Sequence, residues 1–175
     1  MSQVPVWFGR KFDFTFPVER YPDVCVRLRG APAHLEELLR GVPRDVLTGK
    51  PGDGWSAQEH AGHLADLEPL WMARVDDFLA DDFPTGGNTL TAADLNNRKT
   101  HEARHNDREL PEILAEFRTL RIRLADRIEG FEPALFARRM LHPRLMQPMR
   151  LVDHLYFVAE HDDHHLARIR EMAGA

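Results

Sequence analysis

A chain of 175 residues with 43% hydrophobic residues can bury a core unaided, and its one cysteine, Cys25, excludes an intrachain disulfide and a cysteine-based zinc cluster. A net charge of −5 and a pI near 6.0 argue against a nucleic-acid binder. No stretch approaches the roughly 18 apolar residues of a membrane span, and MSQVPVWFGRKFDF has no signal-peptide core, so a cytoplasmic chain without a membrane partner is expected. Histidine, present ten times, is the compositional oddity.

Residues 1–20, with Trp7, Phe8, Phe12, Phe14 and Phe16, read as an extended arm that packs on the body. A first helix is predicted from Asp23 to Leu39, bent or broken where Gly30 and Pro32 interrupt it. GVPRDVLTGKPGDG is a loop with one helical turn at 44–48. Ser56-Ala57-Gln58-Glu59 is a capping box, and Leu64, Leu67, Trp71, Val75 and Phe78 continue at helical spacing, in phase through Pro69. After the loop DDFPTGGNT, LTAADLNNRKTHEARHN reads as a short polar helix.

Residues 109–129 form a long helix with Leu110, Ile113, Leu114, Phe117, Leu120, Leu124 and Ile128 as its core stripe. The basic cluster from Arg118 to Arg127 lies on this helix and reads as its solvated face. PALFARRMLHPRLMQP is an irregular connection, and a last helix runs from Arg150 to Met172. Strand alternation is nowhere convincing. The expectation is an all-α four-helix bundle with additional short helices, a single domain over 1–175 with the arm at 1–20.

On the last helix Leu151, Leu155, Val158, Leu166 and Ile169 share the core face. His161 and His165 lie one turn apart, separated by about 40° around the axis, on one shoulder of that face. This is the i, i+4 spacing by which two imidazoles of one helix share a metal. His164 points further toward solvent and reads as a rim residue. Asp162 projects near the centre of the apolar stripe, where a carboxylate needs a partner. Two partners suit it: the second ring N–H of a liganding histidine, or an arginine from a neighbouring helix. A catalytic site of the zinc type takes three protein ligands and keeps an open position. Helix two offers His60 near the middle of its stripe and His63 on its shoulder, and spacing leaves that choice open.

Trp55-Ser56-Ala57-Gln58-Glu59-His60-Ala61-Gly62-His63-Leu64-Ala65-Asp66 resembles the entry to the second helix of the DinB/YfiT-like family, with a histidine eight residues after the Trp. The segment His161-x-x-His164-His165-Leu166-Ala167-x-Ile169 resembles the family's closing motif. The resemblance covers roughly residues 18–173 in helix order. It implies a four-helix bundle, often a homodimer, with a divalent metal (zinc, nickel or iron) on His63, His161 and His165. This chain departs from the pattern in its further histidines. His101 and His105 read as solvent-facing with a lid over the cleft as the alternative, and His154 reads as a core or rim residue. His142 has no assigned role.

Three neutral imidazoles would leave a divalent charge unneutralised, able to acidify a bound water or hold a thiolate. Hydrolysis and transfer with a low-molecular-weight thiol are the two reactions this allows, and the resemblance weights the thiol transferase above the hydrolase. A small-molecule substrate is expected, with Asp66 and Asp162 as candidate catalytic or supporting carboxylates. Glu59 is kept by its cap. A metal-binding or stress-associated module without turnover is the non-enzymatic alternative, and a metal-free bundle with leftover histidines is the other.

Overall fold

The structure, a computed structural model, describes residues 4–80 and 89–174. Residues 81–88, most of the expected loop DDFPTGGNT, lie outside them. Six α-helices occur among the described residues: α1 (Tyr21–Leu39), α2 (Arg44–Thr48), α3 (Ala57–Leu79), α4 (Arg98–Glu102), α5 (Leu110–Glu129) and α6 (Leu151–Ala173). The four long ones form the bundle. α1 packs on α5 and α6, and α3 packs on the same two, so α1 and α3 stand diagonally opposite.

Local signals explain the boundaries. The capping box at Ser56 starts α3, with the hydroxyl accepting from the Glu59 N–H at 3.1 Å and the Glu59 carboxylate accepting from the Ser56 N–H at 2.9 Å. Pro69 stays inside α3 and Pro32 inside α1, which is one helix rather than two. The polar helix expected over 90–106 contracts to α4 and a 3-10 turn at His105–Asp107. Asn97 and Arg104, at φ 51° and 50°, break the helical path on either side of α4.

The irregular connection contains a hairpin that the sequence did not announce. β1 (Arg139–His142) pairs antiparallel with β2 (Gln147–Arg150), Met140 facing Met149 in register. Each strand is four residues long, too short for alternation to stand out from chance. The described part of the N-terminal segment is pinned on the body. The Arg150 guanidinium donates to the carbonyls of Phe14 and Phe16 at 3.1 and 2.8 Å, and Trp7 and Phe12 pack on Phe157.

The core is in two parts. One apolar cluster includes Leu28, Trp71, Val75, Leu124 and Leu155; the other includes Leu35, Leu64, Phe117, Leu166 and Ile169. Between them lies a charged layer. Arg121 of α5, with no exposed surface, donates to Glu68 of α3 at 2.5 and 3.0 Å, to Asp162 of α6, and to the carbonyl of Leu28 in α1 at 3.3 Å. The expected solvated face therefore loses its central arginine to the interior. Its position gives the reason. Ile113, Phe117, Arg121, Leu124 and Ile128 follow one another at steps of three and four, and two carboxylates await the charge. Among the described residues no helix is long and apolar enough to cross a membrane.

Candidate metal centre

Helices α3 and α6 meet along the bundle, and the shoulder histidines of each face the other. One ring nitrogen each from His63, His161 and His165 lies within 4.8 Å of the other two. The Nε2 atoms of His161 and His165 are 3.1 Å apart. Two nitrogens bound at ~2.0–2.1 Å to a tetrahedral ion are roughly 3.3 Å apart, so this spacing suits a shared metal.

The surrounding hydrogen bonds decide which nitrogens are available. Thr100 on α4 donates its hydroxyl to Asp66 Oδ2 at 2.9 Å and lies 2.9 Å from His63 Nδ1. The one hydroxyl proton goes to the carboxylate, so His63 must donate from Nδ1, which leaves its Nε2 as a bare lone pair. His105 Nε2 reaches the same Asp66 oxygen at 2.8 Å. Burial alone would raise the Asp66 carboxyl, but the bonds from His105 and Thr100 outweigh it and hold the pKa below the ordinary value. His165 Nδ1 lies 2.7 Å from His60 Nδ1, and with His165 as the donor of that pair its Nε2 is a bare lone pair. Hydroxyl and imidazole thus orient His63 and His165, whereas His161 Nδ1 is buried with no hydrogen-bond partner among the described residues.

All three inner rings are neutral. Burial pushes His63 down to about 3 and takes His161 and His165 well below the ordinary value, with neighbouring imidazoles adding to the effect. A neutral imidazole is the ligating form. The donor set therefore fits a divalent ion by number, spacing and protonation.

A cavity of about 730 Å³ opens on these rings. His60, His164 and Arg168 line it beside the three inner histidines; Trp7, Trp55, Trp71 and Phe157 supply much of its apolar wall. The arm forms part of this wall, through Val4 to Phe8. Its Trp7 ring is 5.1 Å from that of His161 and 5.8 Å from that of His164.

The sequence profile of the DinB superfamily matches residues 27–169, most of the chain. The chain belongs to the DinB superfamily. Among solved structures, YfiT from Bacillus subtilis superposes with a TM-score of 0.74 at 20% identity, over 94% of this chain and 92% of that one. That protein is described as "a probable metal-dependent hydrolase with an unusual four-helix bundle topology". Comparison with curated proteins gives no match.

In this DinB bundle several side chains differ from their expected places. His105 does not face solvent. It is 1% exposed and sits where Gly62 leaves room on α3. Gln58 fixes the segment by donating to the carbonyls of His105 and Arg108 at 2.6 and 2.9 Å. His101 is exposed, with its ring 5.7 Å from Trp55. His164 is covered by the arm rather than turned to solvent, whereas Asp163 is exposed and pairs with Arg27. His154 is a core residue between Trp71 and Phe78.

Of the two partners open to Asp162, the structure has the arginine: its carboxylate lies on Arg121 and touches no histidine ring. Neither Asp66 nor Asp162 lines the cavity, so neither is placed to take a proton from a molecule bound there. Asp66 acts on the site through Thr100, and Glu59 is occupied by its cap and by Lys50 at 2.7 Å. Thr100 was missed because a lone threonine in a polar segment carries no signal of its own.

Proposed function

We propose that this DinB protein is a metal-dependent hydrolase of a small molecule, with His63, His161 and His165 as the metal ligands. The convergence of three neutral imidazoles at the floor of an open cavity carries this reading. The superposition with YfiT adds to it. A divalent ion held there supplies a Lewis acid that brings a water, or a thiol, toward ionisation near neutral pH.

The chain's own residues do the rest. Thr100 and Asp66 hold His63 and His60 holds His165 by hydrogen bonds, while the Trp7 and Trp71 rings pack against His161. Trp55, Trp71 and Phe157 exclude bulk water from the floor. His60 and His164 stand on the cavity wall as neutral rings, burial drawing each to about 4, and are open to a proton as the reaction proceeds. Asp162 serves through Arg121, a layer below.

Transfer to or from a low-molecular-weight thiol is the second reading. The cavity volume of about 730 Å³ favours it, since there is room for a thiol beside an acceptor. The two readings separate on one panel. Metal analysis of untagged protein is expected to find near one equivalent per chain. Esters and amides are then offered with and without small thiols, before and after chelation. Turnover in water alone that is lost on chelation supports the hydrolase; turnover only with a thiol supports the transferase. Metal content unchanged in both His63→Ala and His161→Ala would refute the ligand assignment.

A further inference from the structure

The cavity has a second chemical feature, away from the histidines. Arg74, on α3 two turns beyond Leu67, is 2% exposed and lines the cavity with Arg144, on the turn between β1 and β2. Neither forms an ion pair with a carboxylate among the described residues. Arg74 Nε donates to the Thr91 carbonyl at 2.9 Å, and its Nη1 is 3.2 Å from His142 Nε2. The nearby Asp77 carboxylate accepts from the Thr91 N–H at 2.6 Å. Arg144 Nη2 is buried with no hydrogen-bond partner among the described residues, and its guanidinium lies over Phe8 and Phe157 at 5.4 and 5.8 Å.

Ring faces and a carbonyl offset part of the desolvation of these two cations but neutralise no charge. Burial draws Arg74 down to about 10, with Asp77 opposing and Arg144 adding, so it stays charged at neutral pH. A buried guanidinium and a half-buried one on one cavity, in a protein of net charge −5, are a local reversal of sign. A metal at the histidines would deepen it.

The two features share an apolar neighbour. The Trp71 ring lies 5.6 Å from that of His161 and 5.4 Å from the Arg74 guanidinium. The Phe157 ring lies 4.9 Å from that of His142, tilted against it by 54°. At the mouth Val6, Phe8 and Leu95 are exposed at 75%, 57% and 53%, a hydrophobic rim.

We propose that Arg74 and Arg144 form an anion subsite and that the cavity takes an amphipathic carboxylate. Its reacting group sits at the histidines, its apolar portion lies along Trp71 and Phe157, and its carboxylate rests on the two guanidinia. Arginine is suited to this because its planar fork binds a carboxylate through two parallel N–H donors. The reacting end depends on the hydrolase reading above; the anion subsite does not.

Binding distinguishes the two. The probes are 3-phenylpropionate, 4-phenylbutyrate and 6-phenylhexanoate, each against its primary amide, titrated by calorimetry into metal-loaded protein and into protein freed of metal by chelation. The acid of the best-fitting length should bind about tenfold tighter than its amide in both forms. Arg144→Gln, at a half-buried turn position, should remove that preference while leaving amide affinity and metal content unchanged. Arg74→Lys, which keeps the charge but not the fork, should reduce it. Equal affinity of acid and amide, no binding of any probe at millimolar concentration, or a preference that survives both substitutions overturns the subsite. A preference that vanishes with the metal also overturns it, since the carboxylate is then on the ion. Protein that holds no metal yet keeps the preference leaves the subsite standing and removes the hydrolase.

Discussion

The Thr100 hydroxyl lies 2.9 Å from Nδ1 of His63 and receives that nitrogen's proton, because its own is committed to Asp66. A residue on a five-residue helix thereby sets the tautomer of a histidine on a long one. Thr100→Val keeps the shape and removes the acceptor. Metal affinity should fall roughly 10–100-fold, the usual effect of losing such a partner, whereas Thr100→Ser should retain most of it. Competition with a chromophoric chelator measures both.

Gly62 is the counterpart of the buried His105. A Cβ at this position would lie 2.3 Å from the His105 ring, on a helix whose backbone cannot yield. Gly62→Ala should cost about 1–3 kcal/mol or more by overpacking, despite the better helix propensity of alanine. The double variant with His105→Ala should be more stable than the sum of the two single losses, as read by urea unfolding.

Arg121 sets one positive charge between two carboxylates in a layer without solvent, and burial raises Glu68 to about 7 despite the guanidinium beside it. Arg121→Met should be severe, about 3–5 kcal/mol, because Glu68 and Asp162 are left facing one another. Replacing all three residues by apolar ones of matched volume should recover most of the loss. Chemical denaturation of the single and triple variants checks both expectations.

Acid should destabilise the fold through its histidines. Burial lowers His142 to about 3 and His60 to about 4, and takes His154 well below the ordinary value, whereas in the unfolded chain each titrates near 6.5. Below pH 6.5 the unfolded state therefore binds more protons than the folded one, so stability is lost as pH falls. It is fully present above about pH 6.5 and drains between there and about pH 3–4. Unfolding free energies across pH 4–8 should show that slope, and His142→Gln should flatten it.

The long helices were legible because each carries an apolar stripe along its whole length, and the Ser56–Glu59 cap marks where α3 begins. Spacing placed His161 and His165 together on one shoulder of α6, whereas His63, the third ring of the cluster, was singled out by the family resemblance and not by spacing. What escaped depends on partners distant in the chain. Asp162 meets an arginine 41 residues away, and His105 is buried by a gap at Gly62. Arg121 is the instructive miss: it sits in phase with Phe117 and Leu124, so the pattern held the information, but a charged residue in an apolar stripe is read as an interruption until its counter-charges are known. The hairpin at 139–150 escaped for a different reason, since its strands are too short to establish a period.

The charged layer also has a mechanical consequence. Apolar burial is non-directional, so a stripe of leucine, valine and alanine fixes the height of one helix against another less sharply than a buried ion pair does. Here α3 and α6 are gripped by one guanidinium, Glu68 lying five residues after His63 and Asp162 directly after His161. Slipping either helix by one turn, about 5.4 Å, would strand a carboxylate in the apolar core. Arg121 is thus a register pin, holding two sliding rods at the height where three imidazoles meet.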